Sequence, residues 1–409
     1  MSTANHVVII GGGLAGAKTA EALRDQSFTG AVTLLGAEAD LPYERPPLSK
    51  DYLTGESRFE DAVVHPEQWY ADQEVDLRRS CRATTLDAAE HQVGLDDGTT
   101  LGYDKLVLAT GSTPRLLSVP GADSEGVHYL RTRADSEAIG AQFGAGRRMV
   151  IIGGGWIGLE VAAAARGAGT DVTLVEAADL PLLGILGPEL AQVFAELHRA
   201  SGVDLRLGAG VESITAGGGR ADGVLLAGGE KLPADAVVIG VGVTPEVALA
   251  EAAGLAIDDG VLVDASLRTS DPDIYAVGDI ANHDHPVLGE RIRVEHWATA
   301  LNQPATAAAA LLGGPEQYTN LPYFFSDQYD LGMEYIGHAP PGSYDQVVVR
   351  GDTEALQFVA FWLDAGLRIR ASMNVNVWDV PDQVGPLITG RRQVSVQRLA
   401  DPDMPYDSV

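Results

Sequence analysis

The feature that most constrains this chain is a glycine pattern that occurs twice. Gly11-Gly12-Gly13-Leu14-Ala15-Gly16 follows the apolar run Val7-Val8-Ile9-Ile10, and Gly153-Gly154-Gly155-Trp156-Ile157-Gly158 follows Val150-Ile151-Ile152. Each apolar run reads as a buried strand. Each glycine hexad leads into an alanine-rich helical stretch, Ala17 to Arg24 in the first case and Leu159 to Arg166 in the second. In such a strand–loop–helix unit the glycines allow a tight turn, close approach of backbone to a pyrophosphate, and close packing of helix on strand. The helix N-terminus then offers N–H groups and the positive end of its dipole to the phosphates. One copy is weak evidence, because glycine-rich turns are common. Two copies in the same context predict two bound dinucleotides, and hence electron transfer between them.

An internal repeat extends the pattern. Val32-Thr33-Leu34-Leu35-Gly36 aligns with Val172-Thr173-Leu174-Val175-Glu176, the next strand of each unit. Glu176 falls at the carboxyl end of its strand, where an acid can accept hydrogen bonds from an adenosine ribose and repel a 2′-phosphate. Ala177-Ala178-Asp179 supplies no arginine for such a phosphate, so the spacing favours NADH over NADPH. In the first unit the aligned residue is Gly36, followed by Ala37 and Glu38. Buried strands are also expected in Asp104–Ser112, running into the Thr110-Gly111 turn, at Ala236–Gly242 and at Ile274–Asp279. A helix is expected from Trp297 to Leu312. From residue 320 the chain alternates β-rich stretches with turns, and the tail Asp401–Asp407 reads as loosely ordered.

Composition narrows the function. A chain of 409 residues with 45% hydrophobic content suits two or three packed domains. No apolar run reaches the roughly 18 residues of a membrane span. The start Met1-Ser2-Thr3-Ala4 shows no signal peptide, so a cytoplasmic location is expected. The net charge of −29 argues against nucleic-acid binding, which needs cations against phosphate. A local basic patch remains possible for an acidic partner, with Arg368, Arg370, Arg391 and Arg392 as candidates. The single cysteine, Cys81, provides no dithiol and reads as inert packing. His283 and His285 flank Asp284 on an expected solvated loop, and no metal site is expected.

These landmarks resemble the FAD-dependent pyridine nucleotide-disulfide oxidoreductase superfamily, in its NADH:ferredoxin reductase branch. The carrying segments are Gly11–Gly16, Leu41–Lys50 (with Pro46-Pro47-Leu48-Ser49-Lys50 the most specific), Ala109–Gly111, Leu130–Thr132, Gly153–Glu160, Thr269–Asp271, Tyr275–Asp279 and Ser326-Asp327-Gln328-Tyr329. The resemblance implies an α/β fold: two Rossmann-like dinucleotide-binding domains, for FAD and NAD, plus a C-terminal α+β domain. The implied boundaries are 1–111 with 240–319 for FAD, 112–239 for NAD and 320–409 for the C-terminal domain. Toward FAD it implies Gly11, Gly13, Leu14, Ala15, Gly16, Ala37, Glu38, Arg45, Lys50, Ala83, Ala109, Thr110, Gly111, Arg131, Gly278, Asp279 and Trp297. Asp279 would accept from the ribityl chain and can at the same time serve as a helix N-cap. Lys50 would lie near flavin N5, and Arg131 would hold the adenine-side phosphate region. Toward NADH it implies Gly153, Gly155, Ile157, Gly158, Glu160, Glu176 and Gly242. Lys50 and Glu160 would form an ion pair where hydride is transferred. Phe325 stands where relatives often have Trp, and Ala37 where many have an acid.

The implied function is transfer of electrons from NADH through FAD to a [2Fe–2S] or similar ferredoxin serving a cytochrome P450 or a ring-hydroxylating oxygenase. The protein would act as a monomer or homodimer. Two alternatives stay open: an NADH-sensing flavoprotein resembling apoptosis-inducing factor, and an NADH oxidase-type or disulfide reductase flavoprotein. The second would need a redox cysteine where this chain has Pro46-Pro47-Leu48-Ser49.

Overall fold

A computed structural model describes residues 4–409; Met1-Ser2-Thr3, part of the start read for a signal peptide, lie outside the described residues. The chain forms two compact units, Met1–Glu44 with Phe59–Thr113 and Thr244–Tyr323, and Arg45–Arg58 with Pro114–Val243 and Phe324–Val409.

In the first unit, strand His6–Ile10 sits at the centre of a five-stranded parallel sheet. Ala31–Leu35 and then Val75–Arg78 lie on one side, Lys105–Leu108 and then Ile274–Ala276 on the other. Val7, Val8 and Ile9 are fully buried, as expected of parallel strands covered on both faces. The glycine loop turns into helix Leu14–Asp25, whose alanines let it lie close to the sheet and against helix Trp297–Leu311. All five carboxyl strand ends lie along one edge, the edge at which open α/β sheets bind ligands.

The second unit repeats the design. Arg148–Ile152 is central, with Asp171–Glu176 and Asp204–Leu207 on one side and Ala236–Ile239 and Val127–Tyr129 on the other. It also holds a five-stranded antiparallel sheet in the order Tyr323–Gln328, Leu331–Gly337, Ile369–Val375, Gln357–Leu363, Gln346–Asp352. One apolar cluster joins Leu159 and Phe194 to Met333, Tyr335 and Trp362, so this sheet shares a core with the second dinucleotide fold.

Three sequence expectations fail locally. His283 and His285 are not on a solvated loop. They lie on strand Ala281–His285 and are buried, because the strand pairs on both sides, with Val261–Val263 and Glu290–Ile292. Burial pushes the His283 imidazole down to about 4 and lowers that of His285. The tail is not loose: Arg350 donates to the carbonyls of Pro402 (2.8 Å) and Met404 (2.7 Å), and its guanidinium lies 4.5 Å over the Tyr406 ring. Asp279 is not a helix N-cap; it lies inside the short 3-10 turn Gly278–Ile280, whose N-cap position is Val277, with no side-chain cap.

Candidate functional site

In the first unit the glycine loop is built by close backbone contact. A Cβ on Gly11, whose φ is +125°, would come within 2.0 Å of the Ala109 carbonyl oxygen, and one on Gly16 within 1.9 Å of the Gly11 carbonyl oxygen. Gly12 approaches Gly36 in the same way, which explains a glycine at the position that Glu176 occupies in the repeat. Gly13 is different: an added Cβ there would meet nothing within 4 Å, and no side chain caps the helix that starts at Leu14 and Ala15. An uncapped helix N-terminus facing open space suits a pyrophosphate.

The neighbouring strand ends converge on this loop. Gly278 lies against Ala15, and its N–H donates to Gln303 Oε1 at 2.8 Å. The Asp279 carboxylate accepts from the Ser112 hydroxyl at 2.5 Å. The Thr110 hydroxyl donates to the Glu246 carbonyl (2.7 Å), and the Gly111 carbonyl accepts from Glu246 N (2.9 Å). Ala37 and Glu38 follow the strand end at Leu35, and Glu38 accepts from the Tyr43 hydroxyl at 2.5 Å. The segment leading to Ala83 runs alongside, through Ser80 N to Glu38 O and Cys81 N to Gly36 O. The Trp297 indole donates to Glu44 at 3.0 Å. Neither Ser112 nor Glu44 is among the expected site residues, although Glu44 lies within the segment Leu41–Lys50 and Ser112 directly follows Ala109-Thr110-Gly111.

The second unit holds the other loop. A Cβ on Gly153 would come 2.2 Å from the Gly240 carbonyl oxygen, and one on Gly158 2.1 Å from that of Gly153. Gly155, like Gly13, faces open space, and Ile157 beside it is 44% exposed. The Glu176 carboxylate accepts from Gly154 N at 2.6 Å and Ala178 N at 2.8 Å, so it is clamped beside the loop. Gly242, with φ +97°, accepts from Arg115 N at 2.9 Å. Trp156 packs edge-on between Phe194 and Phe324.

This unit also contains Arg45, Lys50 and Arg131. The Arg45 guanidinium donates to the Arg131 carbonyl. Lys50 follows the 3-10 turn Pro46–Ser49 and pairs with Glu160 at 2.8 Å. Glu160 is only 3% exposed, yet three donors hold it: Oε1 accepts from Lys50 and from the Ser326 hydroxyl (2.7 Å), and Oε2 from the Ser49 hydroxyl (2.5 Å), which leaves Oε2 room for one more donor. A buried carboxylate is tolerated when it is paired and hydrogen-bonded in this way. The Lys50 ammonium also lies 5.4 Å from the centroid of the Phe325 ring, so a phenyl ring supplies the aromatic face at this position. Asp327, on the same strand as Phe325 and Ser326, has its carboxyl raised by desolvation, with Lys50 opposing the shift.

The proposed basic patch is uneven. Arg368 pairs with Asp364 at 3.0 Å and Arg370 is half-buried, while Arg391 and Arg392 are exposed. Cys81 is half-buried, and desolvation raises its thiol above the ordinary range. Among the described residues no cluster of His, Cys, Asp and Glu could hold a metal ion, and no helix is long and apolar enough to cross a membrane.

Residues 5–304 match the family described as pyridine nucleotide-disulphide oxidoreductase, and residues 323–409 match the reductase C-terminal family. The chain belongs to the pyridine nucleotide-disulphide oxidoreductase family. Proteins of this family use FAD and NAD(H), and the two glycine loops fit one dinucleotide each. The family's relatives include the 5,5′-dehydrodivanillate O-demethylase ferredoxin reductase subunit of Sphingobium sp., 42% identical over 97% of this chain and 96% of that one. The anthranilate 1,2-dioxygenase system ferredoxin–NAD(+) reductase component of Burkholderia cepacia is also 42% identical, over 98% of both chains. Among solved structures, the reductase in the covalent putidaredoxin reductase–putidaredoxin complex superposes with a TM-score of 0.95 at 37% identity, over 98% of this chain and 97% of that one. Despite the family name, disulphide chemistry has no dithiol here, since Cys81 is the only cysteine.

Proposed function

We infer that this protein is an FAD-containing NADH:ferredoxin reductase that supplies electrons to a cytochrome P450 or a ring-hydroxylating oxygenase. The observation that carries this reading is the presence of two complete pyrophosphate cradles on a chain whose one thiol is held away from its reactive form. Electrons that enter have no protein dithiol to reduce, so an external acceptor takes them, and we assign that role to a ferredoxin. We assign FAD to the loop at Gly11 and NADH to the loop at Gly153. FAD, when bound, takes electrons in pairs from NADH and releases them singly, as an iron–sulfur cluster requires.

The protein's own residues orient and select. Glu160 lies two positions past the second loop and receives the nicotinamide carboxamide, while Lys50 balances its charge. Glu176, clamped by Gly154 and Ala178, accepts from the adenosine ribose and disfavours a 2′-phosphate. Asp279, fixed by Ser112, hydrogen-bonds the ribityl hydroxyls. Arg391 and Arg392 are the exposed cations offered to an acidic ferredoxin. The working compartment on this reading is the cytoplasm.

The test is anaerobic reduction by NADH followed by titration with a [2Fe–2S] ferredoxin, read through cytochrome c. Reduction of cytochrome c that depends on ferredoxin is expected. A flavin that NADH reduces and that then persists reduced beside every ferredoxin tried would overturn the reading.

A further inference from the structure

Behind Glu160 lies a line of buried polar side chains that the proposed chemistry does not use. Ser326 and Gln328 occupy alternate positions of strand Tyr323–Gln328, so they face the same side, and Asp327 between them faces the other. His198 lies in the last turn of helix Pro188–Ala200. Ser326, Gln328 and His198 are all essentially without solvent contact. The contacts run without a break: Ser326 Oγ to Glu160 Oε1 at 2.7 Å, Gln328 Nε2 to Ser326 Oγ at 3.0 Å, His198 Nε2 to Gln328 Oε1 at 2.9 Å, and Tyr329 Oη to His198 Nδ1 at 3.2 Å.

The donor inventory gives this line one direction. Lys50 can only donate, so Glu160 receives it as an acceptor. Ser326 has one hydroxyl hydrogen, and a carboxylate oxygen can take it only as a donated bond. Its oxygen must then accept from the Gln328 amide nitrogen. That turns the amide oxygen toward His198 and puts the imidazole hydrogen on Nε2. Burial pushes His198 down to about 4, so the ring is neutral and Nδ1 is an acceptor for the Tyr329 hydroxyl. Flipping the Gln328 amide would set two donors against each other at His198, and at Ser326 would either set two acceptors against each other or draw the Ser326 hydrogen away from Glu160. Such closed sets of buried polar groups are stable only when every member is satisfied.

We propose that Ser326, Gln328 and His198 are positioning residues, a one-way hydrogen-bond chain that holds the Glu160 carboxylate in the orientation that pairs with Lys50. The consequence for hydride transfer rests on the functional reading above; the chain itself does not. Outer partners that orient metal ligands typically matter by about 10- to 100-fold in affinity or activity, and the lower end of that range is the expectation for a partner that orients a carboxylate.

The experiment uses the full-length holoprotein with 15N-labelled histidine, observed by NMR, with the His198 signal assigned by its loss in His198→Gln. A neutral ring with its hydrogen on Nε2 is expected. In Gln328→Glu the new carboxylate should convert His198 to imidazolium and draw the Ser326 hydrogen from Glu160. In parallel, Ser326→Ala should slow flavin reduction by NADH about 10-fold, and Ser326→Thr, which keeps the hydroxyl, should recover most of that loss. A wild-type His198 carrying its hydrogen on Nδ1, or unchanged flavin reduction in Ser326→Ala, overturns the proposal. Failure of the wild-type protein to reduce any ferredoxin, with the His198 tautomer as expected, overturns the functional reading and leaves the chain standing.

Discussion

Glu160 accepts from one ammonium and two hydroxyls in a place almost closed to water, whereas Lys50 pairs directly with Glu160, acts electrostatically on Asp327, and retains 12% side-chain exposure. The two ends of the pair therefore respond differently to loss. Glu160→Ala strands a partly buried cation and two seryl hydroxyls, and breaking a buried pair in this way costs about 3–5 kcal/mol. Lys50→Ala leaves Glu160 with both seryl donors and should destabilise less. Thermal melts of the two variants check the order. Both should slow flavin reduction by NADH by more than about 10-fold, and the double variant should lose less than the product of the two, because the pair acts as a unit. Wild-type rates in both single variants would make the pair purely structural. Glu176 supports a second expectation at this scale: a preference for NADH over NADPH of at least about 10-fold, or about 1.4 kcal/mol, in kcat/KM, from a fixed carboxylate set against a phosphate dianion. Equal kcat/KM for the two nucleotides would remove that role.

At the scale of the element, the second glycine loop separates a folding function from a binding one. Gly158 has the Gly153 carbonyl oxygen 2.1 Å from where a Cβ would stand, and that neighbour is backbone that cannot swing aside. Gly158→Ala should push the helix off its strand and lower stability by more than about 2 kcal/mol. Gly155 has φ −80° and nothing within 4 Å of an added Cβ. Gly155→Ala should melt within about 0.5 kcal/mol of wild type yet bind NADH less well, because its methyl group occupies space meant for the dinucleotide. Melting curves and the KM for NADH, measured on both variants, distinguish the two outcomes. These elements were legible because each is written within a dozen consecutive residues: an apolar run, a glycine hexad, an alanine-rich helix. The strand Ala281–His285 was not, since its histidines and aspartate resemble a polar loop until Val261–Val263 and Glu290–Ile292 pair with it.

Across the whole molecule, two buried histidines link folding to acidity. His198 and His283 are each pushed from the ordinary 6.5 to about 4 by desolvation. Between those values the unfolded chain binds protons that the folded chain refuses. Their contribution is therefore fully present above pH 6.5 and is lost as pH falls toward 4, by at most roughly 3 kcal/mol for each ring. Urea midpoints should fall from pH 7 to pH 5, and His198→Gln should flatten part of that slope. An unchanged slope in the variant would remove His198 from the account.

The sequence by itself determined the duplicated dinucleotide fold, the carboxyl-edge position of both glycine loops, and the residue types gathered there, because turn geometry and strand or helix periodicity are local properties of the chain. Only the tertiary structure decided which distant residues meet. It placed Arg45–Arg58 in the second unit, brought Ser49 and Ser326 onto Glu160, closed the His198 chain behind it, and tied the tail to Arg350. Burial and hydrogen-bond partnership are set by packing between segments far apart in sequence, and no short window of residues carries that information.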